Sequence, residues 1–194
     1  MKALLKISAA ATMAALIIFG TTVTTTAERD YDRCDELLGG GAMPCMVNDL
    51  IQHPLYSVDG KVFDCCLQVY LYDRLKEKGI EWWYEYALCQ SYQESRYDIY
   101  AVNQTNFEDK GLFQYKQRYW AGVAAQYGRE GADIFDPYAQ IDVYTSQIAE
   151  RINRGEDAYS AISDHYTGGS GYSSKYVSEV MQWMPKMERI YDND

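Results

Sequence analysis

One predicted helix has an apolar stripe that ends at a carboxylate, and this arrangement most constrains how the chain can fold. Reading back from Glu94, apolar or small residues recur at three- and four-residue steps: Ser91, Ala87, Tyr84 or Trp83, and Ile80. This spacing puts Glu94 on the helix face that packs inward. Burial disfavours a charged carboxyl and raises its pKa, which suits a general acid near neutral pH. The ordinary alternative is a capped or ion-paired glutamate at a helix end.

Helical spacing recurs along the rest of the chain, and no run shows the sustained alternation of a strand. The further stripes run from Phe63 to Leu75, Phe113 to Tyr127, Ile141 to Ile152, Ala158 to Ile162, and Val177 to Tyr191. The pattern therefore predicts a mainly α fold. Residues 43–60 contain two prolines and no long period, and they predict short helical or irregular segments. Residues 95–110 and 167–174 are polar or glycine-rich, and they predict loops that line the substrate cleft.

Four short motifs follow one another in the second half of the chain. They read Glu94-Ser95, Gly111-Leu112-Phe113-Gln114, Asp136-Pro137-Tyr138-Ala139-Gln140-Ile141 and His165-Tyr166-Thr167-Gly168-Gly169. Their order and separations resemble the soluble lytic transglycosylase and goose-type lysozyme superfamily. Its catalytic domains carry Glu-Ser at a helix end, a Gly-Leu-Met-Gln turn, an Asp-Pro-x-x-Asn-Ile helix start and a later Ala-Tyr-Asn-x-Gly. The resemblance covers about residues 87–184.

The chain departs from the family pattern at five positions, none of which removes the acid. Phe113 replaces Met, Gln140 replaces Asn, and Asn103 stands where Ser is usual after Ala-Val. His165 and Thr167 replace the Ala and Asn of the last motif. The change at Thr167 puts one expected sugar contact in doubt.

The resemblance implies a lysozyme-like helical domain with a cleft that binds peptidoglycan. It implies cleavage of the MurNAc-GlcNAc β-1,4 bond, with Glu94 acting first as acid and then as base. The N-acetyl group of the sugar assists, and its own 6-hydroxyl closes a 1,6-anhydro ring. Water in place of that hydroxyl would make the protein a hydrolytic muramidase. An alternative of another class is a glycan-binding or scaffold protein that retains only the fold.

Most expected substrate contacts lie within the motifs. They are Ser95, Asn103, Gly111, Leu112, Phe113, Gln114, Tyr166, Thr167 and Gly169. The Gln114 amide can donate to and accept from sugar substituents, and Gly111 permits close backbone approach. By resemblance, the Tyr166 hydroxyl reaches Glu94, whereas His165 is expected at the cleft edge or in packing. Asp98, Glu108 and Asp109 are the nearest candidates in sequence for a second carboxylate, although solvated loop acids are the ordinary explanation.

The charge of the chain and its motifs limit the classes of molecule that it can be expected to bind. The chain of 194 residues has a formal net charge of -10, which disfavours nucleic acid because phosphate backbones would be repelled. No cofactor or metal signature is evident. Glycan strands must then be bound by a cleft in a protein expected to be a monomer. The sequence does not decide whether a secretion, conjugation or phage apparatus is a partner.

The first 27 residues have the pattern of an export signal. Lys2 and Lys6 precede an apolar run from Ile7 to Gly20, and small residues lead to an expected cleavage after Ala27. An uncleaved membrane anchor is the alternative, although the run is shorter than the roughly 20 residues of a spanning helix. We therefore expect an exported protein in the cell wall, periplasm or extracellular space. Residues 28–62 form a cysteine-containing segment, and residues 63–194 form the lysozyme-like domain.

All five cysteines precede residue 90. They are Cys34, Cys45, Cys65, Cys66 and Cys89. Disulfides are permitted in an exported chain, but an odd number leaves at least one thiol unpaired. Pairing of Cys34 with Cys45 would close a short glycine-containing loop, yet the sequence leaves the pairing open. Cys89 is expected to be a buried small residue.

Overall fold

The structure, a computed structural model, describes residues 54–190. Within this range, six α-helices make up most of the fold: α1 (Cys65–Glu77), α2 (Tyr84–Ser95), α3 (Gln117–Gln126), α4 (Pro137–Asn153), α5 (Ala158–Thr167) and α6 (Ser174–Met181). Two short 3-10 helices, Glu81–Trp83 and Met184–Lys186, precede α2 and follow α6. The mainly α fold class predicted from the sequence is confirmed. None of the helices in this range is both long and apolar enough to cross a bilayer.

Three of the helices start at aspartate caps. The carboxylates of Asp64, Asp136 and Asp157 each accept hydrogen bonds from two backbone amides in the first turn of α1, α4 and α5. Such bonds satisfy amides that have no partner inside the helix. Pro137 occupies the first position of α4, where its missing amide hydrogen is not needed. These caps fix where the helices begin and confirm the predicted Asp136-Pro137 start.

Helix α2 lies at the centre of the main hydrophobic core. Its residues Ala87, Leu88 and Cys89 are completely buried. The stripe that leads to Glu94 is also buried, as the sequence predicted: Ile80, Trp83, Tyr84, Ala87 and Ser91. Residues of α1, α4, α5 and α6 surround it in the same cluster. The helix that carries the candidate acid is therefore held on several sides.

A polar cluster joins α1 to α4. The Asp142 carboxylate accepts hydrogen bonds from the Tyr70 hydroxyl and from the guanidinium of Arg129. It also pairs with Arg74 at 3.1 Å. Because the carboxylate is mostly buried, these donors compensate its removal from water. The cluster fixes α4 against α1.

A three-stranded antiparallel sheet brings the two ends of the described chain together. Its order is β2 (Lys61–Val62), β1 (Tyr56–Val58) and β5 (Met187–Arg189). In the register of β1 and β5, Tyr56 faces Arg189 and Val58 faces Met187. The side chain of Val58 is completely buried and anchors the sheet to the core.

Two predictions from the sequence are wrong at this sheet. The segment around Tyr56 forms a strand, although irregular or helical structure was predicted. The last helix ends at Met181 and does not continue through Met187. Pro185 gives the physical reason, because proline has no amide hydrogen to bond back to the preceding turn, so the α-helix cannot continue through it.

A short hairpin follows α2. Strands β3 (Asp109–Lys110) and β4 (Tyr115–Lys116) pair antiparallel, and residues 111–114 form the turn between them. The sequence predicted that this turn opens the next helix at Phe113, and that prediction is wrong. Gln114 has a φ of +52°, which is left-handed and incompatible with a helix start. Helix α3 therefore begins only at Gln117.

The cysteines fall into two groups in the described range. Cys66 is disulfide-bonded. Cys65 and Cys89 are free thiols, and Cys89 is buried as predicted. Cys34 and Cys45, whose pairing the sequence left open, lie outside the described residues, as does the predicted signal at residues 1–27.

Candidate active site

Glu94 lies in the last turn of α2 and is partly buried. The pKa of its carboxyl is raised to about 7, mainly by burial and in smaller part by the nearby carboxylates of Asp109 and Glu179. A hydrogen bond from the Tyr176 hydroxyl to Oε1 acts in the opposite direction. A carboxyl with this pKa can carry a proton at neutral pH and can also release it, as a group that acts as both acid and base must.

The tyrosine that contacts Glu94 is Tyr176, in the first turn of α6. Tyr176 is 4% exposed, and Gln90 of α2 donates a hydrogen bond to its hydroxyl. The expectation that Tyr166 makes this contact is therefore wrong. Tyr166 is 64% exposed and stacks its ring on that of Tyr176, with 4.6 Å between ring centroids. It therefore packs on the tyrosine that contacts the acid and makes no hydrogen bond to Glu94 itself.

Sequence reasoning missed Tyr176 because it used only the family motif to place a tyrosine at the acid. A signal was present, since Tyr176 precedes Val180 by four residues and therefore shares its inward face of α6. Gln90 was missed in the same way. It lies four residues before Glu94 on the same helix, which puts it beside the acid's face.

Asp109 on strand β3 is the second carboxylate of the site. Its Oδ2 accepts hydrogen bonds from the side-chain amides of Asn103 and Asn106. Its Oδ1 is buried and has no hydrogen-bond partner within residues 54–190. Of the three acids that the sequence nominated, it is the one whose charge raises the pKa of Glu94.

The other two nominated acids have ordinary surface roles. Asp98 is exposed and accepts a hydrogen bond from the backbone amide of Tyr100. Glu108 forms an ion pair with Arg118 at 3.2 Å, in which both side chains are exposed. Neither residue therefore shares the environment of Glu94.

The Gly-Leu-Phe-Gln turn, residues 111–114, packs mainly into the hydrophobic core. Leu112 and Phe113 are buried in the core, so they are not accessible to a glycan and the expected direct contacts are absent. The Phe113 ring stacks on Tyr144 at 3.9 Å between centroids, and its backbone amide donates to Gln140. A Cβ atom at Gly111 would lie 2.0 Å from the Gln140 amide nitrogen. The glycine therefore makes room for Gln140.

Gln114 is the member of this turn that can meet a ligand. Its side-chain nitrogen donates to the backbone carbonyls of Gly111 at 2.9 Å and Ala101 at 3.3 Å. Its Oε1 has no hydrogen-bond partner in the described part of the chain, and the residue is partly exposed. The amide is thus fixed by its donors and presents an acceptor.

Ser95 and Asn103, both expected to bind substrate, mainly stabilise backbone here. The Ser95 hydroxyl is buried and donates to the Ser91 carbonyl one helical turn back. Asn103 accepts from the Thr105 amide and donates to Asp109. Asn103 therefore acts on the site by holding Asp109 on the hairpin.

The last motif lies at the end of α5. His165 donates through Nε2 to the Phe113 carbonyl at 3.0 Å, and burial lowers its pKa to about 4. It is a neutral packing residue, one of the two roles expected for it. The Thr167 hydroxyl is buried without a hydrogen-bond partner in the described range. Gly169 is exposed in the loop after the helix, with a φ of +78°.

Comparison with known proteins identifies a family for the chain. A family model described as the Transglycosylase SLT domain matches residues 72–186, which is more than half of the chain. The matched range contains Glu94, the hairpin and Tyr176. No curated protein and no solved structure matches the chain. On the strength of the family match, the chain belongs to the transglycosylase SLT domain family, in agreement with the resemblance in its motifs.

Proposed function

We propose that the protein is a peptidoglycan lytic transglycosylase with Glu94 as its general acid and base. The observation that carries the proposal is the partly buried Glu94 carboxyl, with a pKa raised to about 7 and a tyrosine hydroxyl on Oε1. Membership of the transglycosylase family supplies the substrate class, the glycan strands of peptidoglycan. The cleaved bond is the β-1,4 linkage from MurNAc to GlcNAc.

The reaction uses one carboxyl group twice. Protonated Glu94 donates its proton to the glycosidic oxygen while the N-acetyl oxygen of MurNAc attacks the anomeric carbon, and the GlcNAc alcohol leaves. The Glu94 carboxylate then takes the proton of the MurNAc 6-hydroxyl as that oxygen attacks the anomeric carbon. The bond to the N-acetyl oxygen breaks, a 1,6-anhydro ring forms, and Glu94 regains its proton. A pKa near neutral serves both steps because neither protonation state is strongly disfavoured.

Gln114 and Tyr176 support Glu94 in this scheme. The free Oε1 of Gln114 accepts a hydrogen bond from a sugar hydroxyl or amide. Tyr176 donates to the Glu94 carboxylate after the first proton transfer, when the buried charge most needs a donor. The exposed ring of Tyr166 offers an apolar face to a sugar near the acid.

A hydrolytic muramidase is the second candidate, and the unpartnered Oδ1 of Asp109 favours it. In that reaction, a second carboxylate activates a water molecule that replaces the 6-hydroxyl. A non-catalytic glycan-binding protein is the third possibility, because the last motif departs from the family pattern.

Product analysis tests the proposal. The full-length protein is incubated with purified peptidoglycan, and the soluble muropeptides are analysed by mass spectrometry. We expect products that end in 1,6-anhydroMurNAc, each lighter by one water than the corresponding reducing product. The matched control is Glu94→Gln, which keeps the side-chain shape but cannot donate the acidic proton, and which should lose about 10²–10⁴-fold in rate.

The other outcomes are decisive as well. Reducing ends without anhydro products would replace the transglycosylase with the muramidase. Binding to peptidoglycan without release of any product would support the non-catalytic alternative. Equal release by the wild type and Glu94→Gln would remove Glu94 as the acid.

We further propose that residues 1–27 direct the protein out of the cytoplasm, where its substrate lies. Support comes from the basic start and apolar run of the sequence and from the substrate class of the family. N-terminal sequencing of the protein recovered from the extracytoplasmic fraction should begin at Glu28. Recovery of the intact chain from the membrane would support an anchor, and recovery from the cytoplasm would contradict export.

A further inference from the structure

Four buried side chains connect the centre of the domain to Glu94 by hydrogen bonds. Trp83 donates through Nε1 to the Tyr144 hydroxyl at 2.9 Å, and Tyr144 donates to Oε1 of Gln90 at 2.8 Å. Gln90 donates through Nε2 to the Tyr176 hydroxyl at 3.1 Å, and Tyr176 donates to Oε1 of Glu94. We call these four residues, Trp83, Tyr144, Gln90 and Tyr176, the Trp83 network.

The chemistry of its first member sets the direction of the Trp83 network. An indole nitrogen can donate but cannot accept, so the Tyr144 oxygen must be the acceptor of that bond. The single hydroxyl hydrogen of Tyr144 is then available for Gln90, which must present its carbonyl oxygen there. The amide nitrogen of Gln90 consequently faces Tyr176, whose own hydrogen is left for Glu94.

A second contact fixes the orientation of Gln90 independently. Its Nε2 also lies 3.4 Å from the backbone carbonyl of Ile162. If the amide were reversed, two oxygen atoms would face each other at this point in a completely buried environment. An unsatisfied buried carbonyl is costly, so the tryptophan and the Ile162 carbonyl both select the same orientation.

We propose that the Trp83 network holds Tyr176 as a permanent donor to Oε1 of Glu94, so that Oε2 is the atom that carries and delivers the acidic proton. In this role Gln90, Tyr144 and Trp83 are positioning residues, since none of them touches the substrate. The proposal rests on the proposed function, because it names the atom of Glu94 that would act there.

The protonated state follows from the same bonds. If the proton of Glu94 were on Oε1, the Tyr176 hydrogen would face the hydroxyl oxygen of the acid, a weaker acceptor than a carbonyl oxygen, because its other neighbour in the network is the amide nitrogen of Gln90, which donates. A buried hydroxyl hydrogen is most stable on the strongest acceptor within reach. The proton is therefore held on Oε2, away from Tyr176, in both the resting acid and the regenerated acid.

Several other groups influence the charge of Glu94 and must stay constant in a test. Asp109 of β3 and Glu179 of α6 raise its pKa. Tyr115 of β4 and Tyr144 of α4 also interact with its charge. Burial raises the pKa of both tyrosines far above neutral, so neither changes its charge over the range in which Glu94 titrates.

Tyr144→Phe tests the proposal with the least change in shape. It keeps the ring that stacks on Phe113 and removes only the hydroxyl that fixes Gln90. Oε1 of Gln90 then has no donor, so the amide is held only through its nitrogen and positions the Tyr176 hydroxyl less firmly against Glu94. Because the carboxylate loses part of a stabilising donor, we expect the pKa of Glu94 to rise by about 0.5–1.

The measurement is independent of enzymatic activity. The full-length protein is labelled with ¹³C at glutamate carboxyls, and the Glu94 signal is followed by NMR as pH is raised. Comparison with Glu94→Gln assigns the signal. A missing anhydro product would contradict the proposed function, whereas the titration would still show whether the network acts on Glu94.

Tyr84→Phe is the matched control. Tyr84 lies on α2 and, like Tyr144, is buried. Its hydroxyl donates to Oε1 of Gln68 at 2.8 Å, which is the same type and length of bond as that from Tyr144 to Gln90. It is not part of the Trp83 network, so the pKa of Glu94 should match the wild type. Equal titration of Glu94 in the wild type, Tyr84→Phe and Tyr144→Phe would overturn the proposal.

Trp83→Phe provides a second variant if Tyr144→Phe does not fold. It removes the donor at the far end of the network without altering any group that contacts Glu94. The Tyr144 hydroxyl then loses the donor that fixes its direction, so Gln90 and Tyr176 are held less firmly, and the pKa of Glu94 should again rise. A folded Trp83→Phe protein with an unchanged Glu94 titration would contradict the fixed direction.

Discussion

Tyr176 hydrogen-bonds to Glu94 across 82 positions of sequence. Glu94 lies near the end of α2, and Tyr176 lies near the start of α6. The environment of the acid is therefore complete only when the C-terminal helix is packed against the central one. This dependence on a distant residue leads to the first prediction.

Tyr176→Phe should raise the pKa of Glu94 by about 1, because a hydrogen bond to a charged group contributes roughly 1.5 kcal/mol or more. The alkaline limb of the pH–rate profile should move to higher pH by the same amount. The maximal rate should fall because the Glu94 side chain is held less firmly. Tyr166→Phe keeps its stacked ring and should leave the titration of Glu94 unchanged. Equal shifts in both variants would show that the hydroxyl of Tyr176 has no special role.

Asp109→Asn should change the pKa of Glu94 in the other direction. The Asp109 carboxylate raises that pKa through its negative charge, and asparagine removes the charge with little change in size. The alkaline limb should therefore move to lower pH. If the same variant also converted reducing products to anhydro products, Asp109 would be identified as the group that activates water.

Activity should decline above about pH 7, where Glu94 loses its proton. Each further pH unit should lower the rate about tenfold, because only the protonated fraction of Glu94 can serve as the acid. The check is the initial rate of product release from soluble glycan at constant ionic strength. A rate that stays constant to pH 9 would show that no group with this pKa acts as the acid.

Glu94→Gln should stabilise the folded protein at alkaline pH. The carboxyl has a pKa of about 7 when folded, compared with 4.5 as its ordinary value, so between these pH values the native state binds a proton that the unfolded state does not. The free energy of unfolding of the wild type therefore falls as pH rises through this window. Glutamine cannot ionise, and the variant should be on the order of 1–3 kcal/mol more stable at alkaline pH.

Urea denaturation at about pH 4 and about pH 8 measures this difference. The two proteins should have similar stability at the lower pH, where Glu94 is neutral in both states. A variant that is less stable than the wild type at the higher pH would contradict the burial of this charge.

Gly111→Ala should destabilise the fold more than Gly131→Ala. Both glycines have left-handed backbones, with φ values of +76° and +77°. A Cβ at Gly131 would meet no atom within 4 Å, whereas one at Gly111 would collide with Gln140. We expect about 1–2 kcal/mol for the backbone cost alone at Gly131, and about 1–3 kcal/mol more at Gly111. Equal thermal unfolding of the two variants would show that Gln140 moves aside freely.

The helices and the position of the acid were predictable because their signals are local. Residues three or four apart share a helix face, so the stripe from Ile80 to Glu94 identified both the helix and its inward side. Asp136 and Asp157 precede their helices directly, where an aspartate cap must lie. No distant part of the chain was needed for these inferences.

The short strands and the partner of Glu94 were not predictable because they depend on distant contacts. Tyr56 and Arg189 pair across most of the described chain, and strands of two or three residues carry almost no alternation. The family motif suggested Tyr166 for the acid, yet the direction of each side chain at the end of α5 and the start of α6 is set by packing. The buried turn residues Leu112 and Phe113 were misjudged for the same reason.

The pairing of β1 with β5 has a mechanical consequence. Tyr56 and Arg189 are the last residue pair of the two strands, and the Ile190 amide donates to the Leu55 carbonyl just beyond them, on the side where the chain enters β1 and leaves β5. A pulling force applied to both ends would open the rungs one after another, which requires less force than sliding all of them at once. Tension between two tethered ends would thus detach β1 before it disturbs the helices around Glu94.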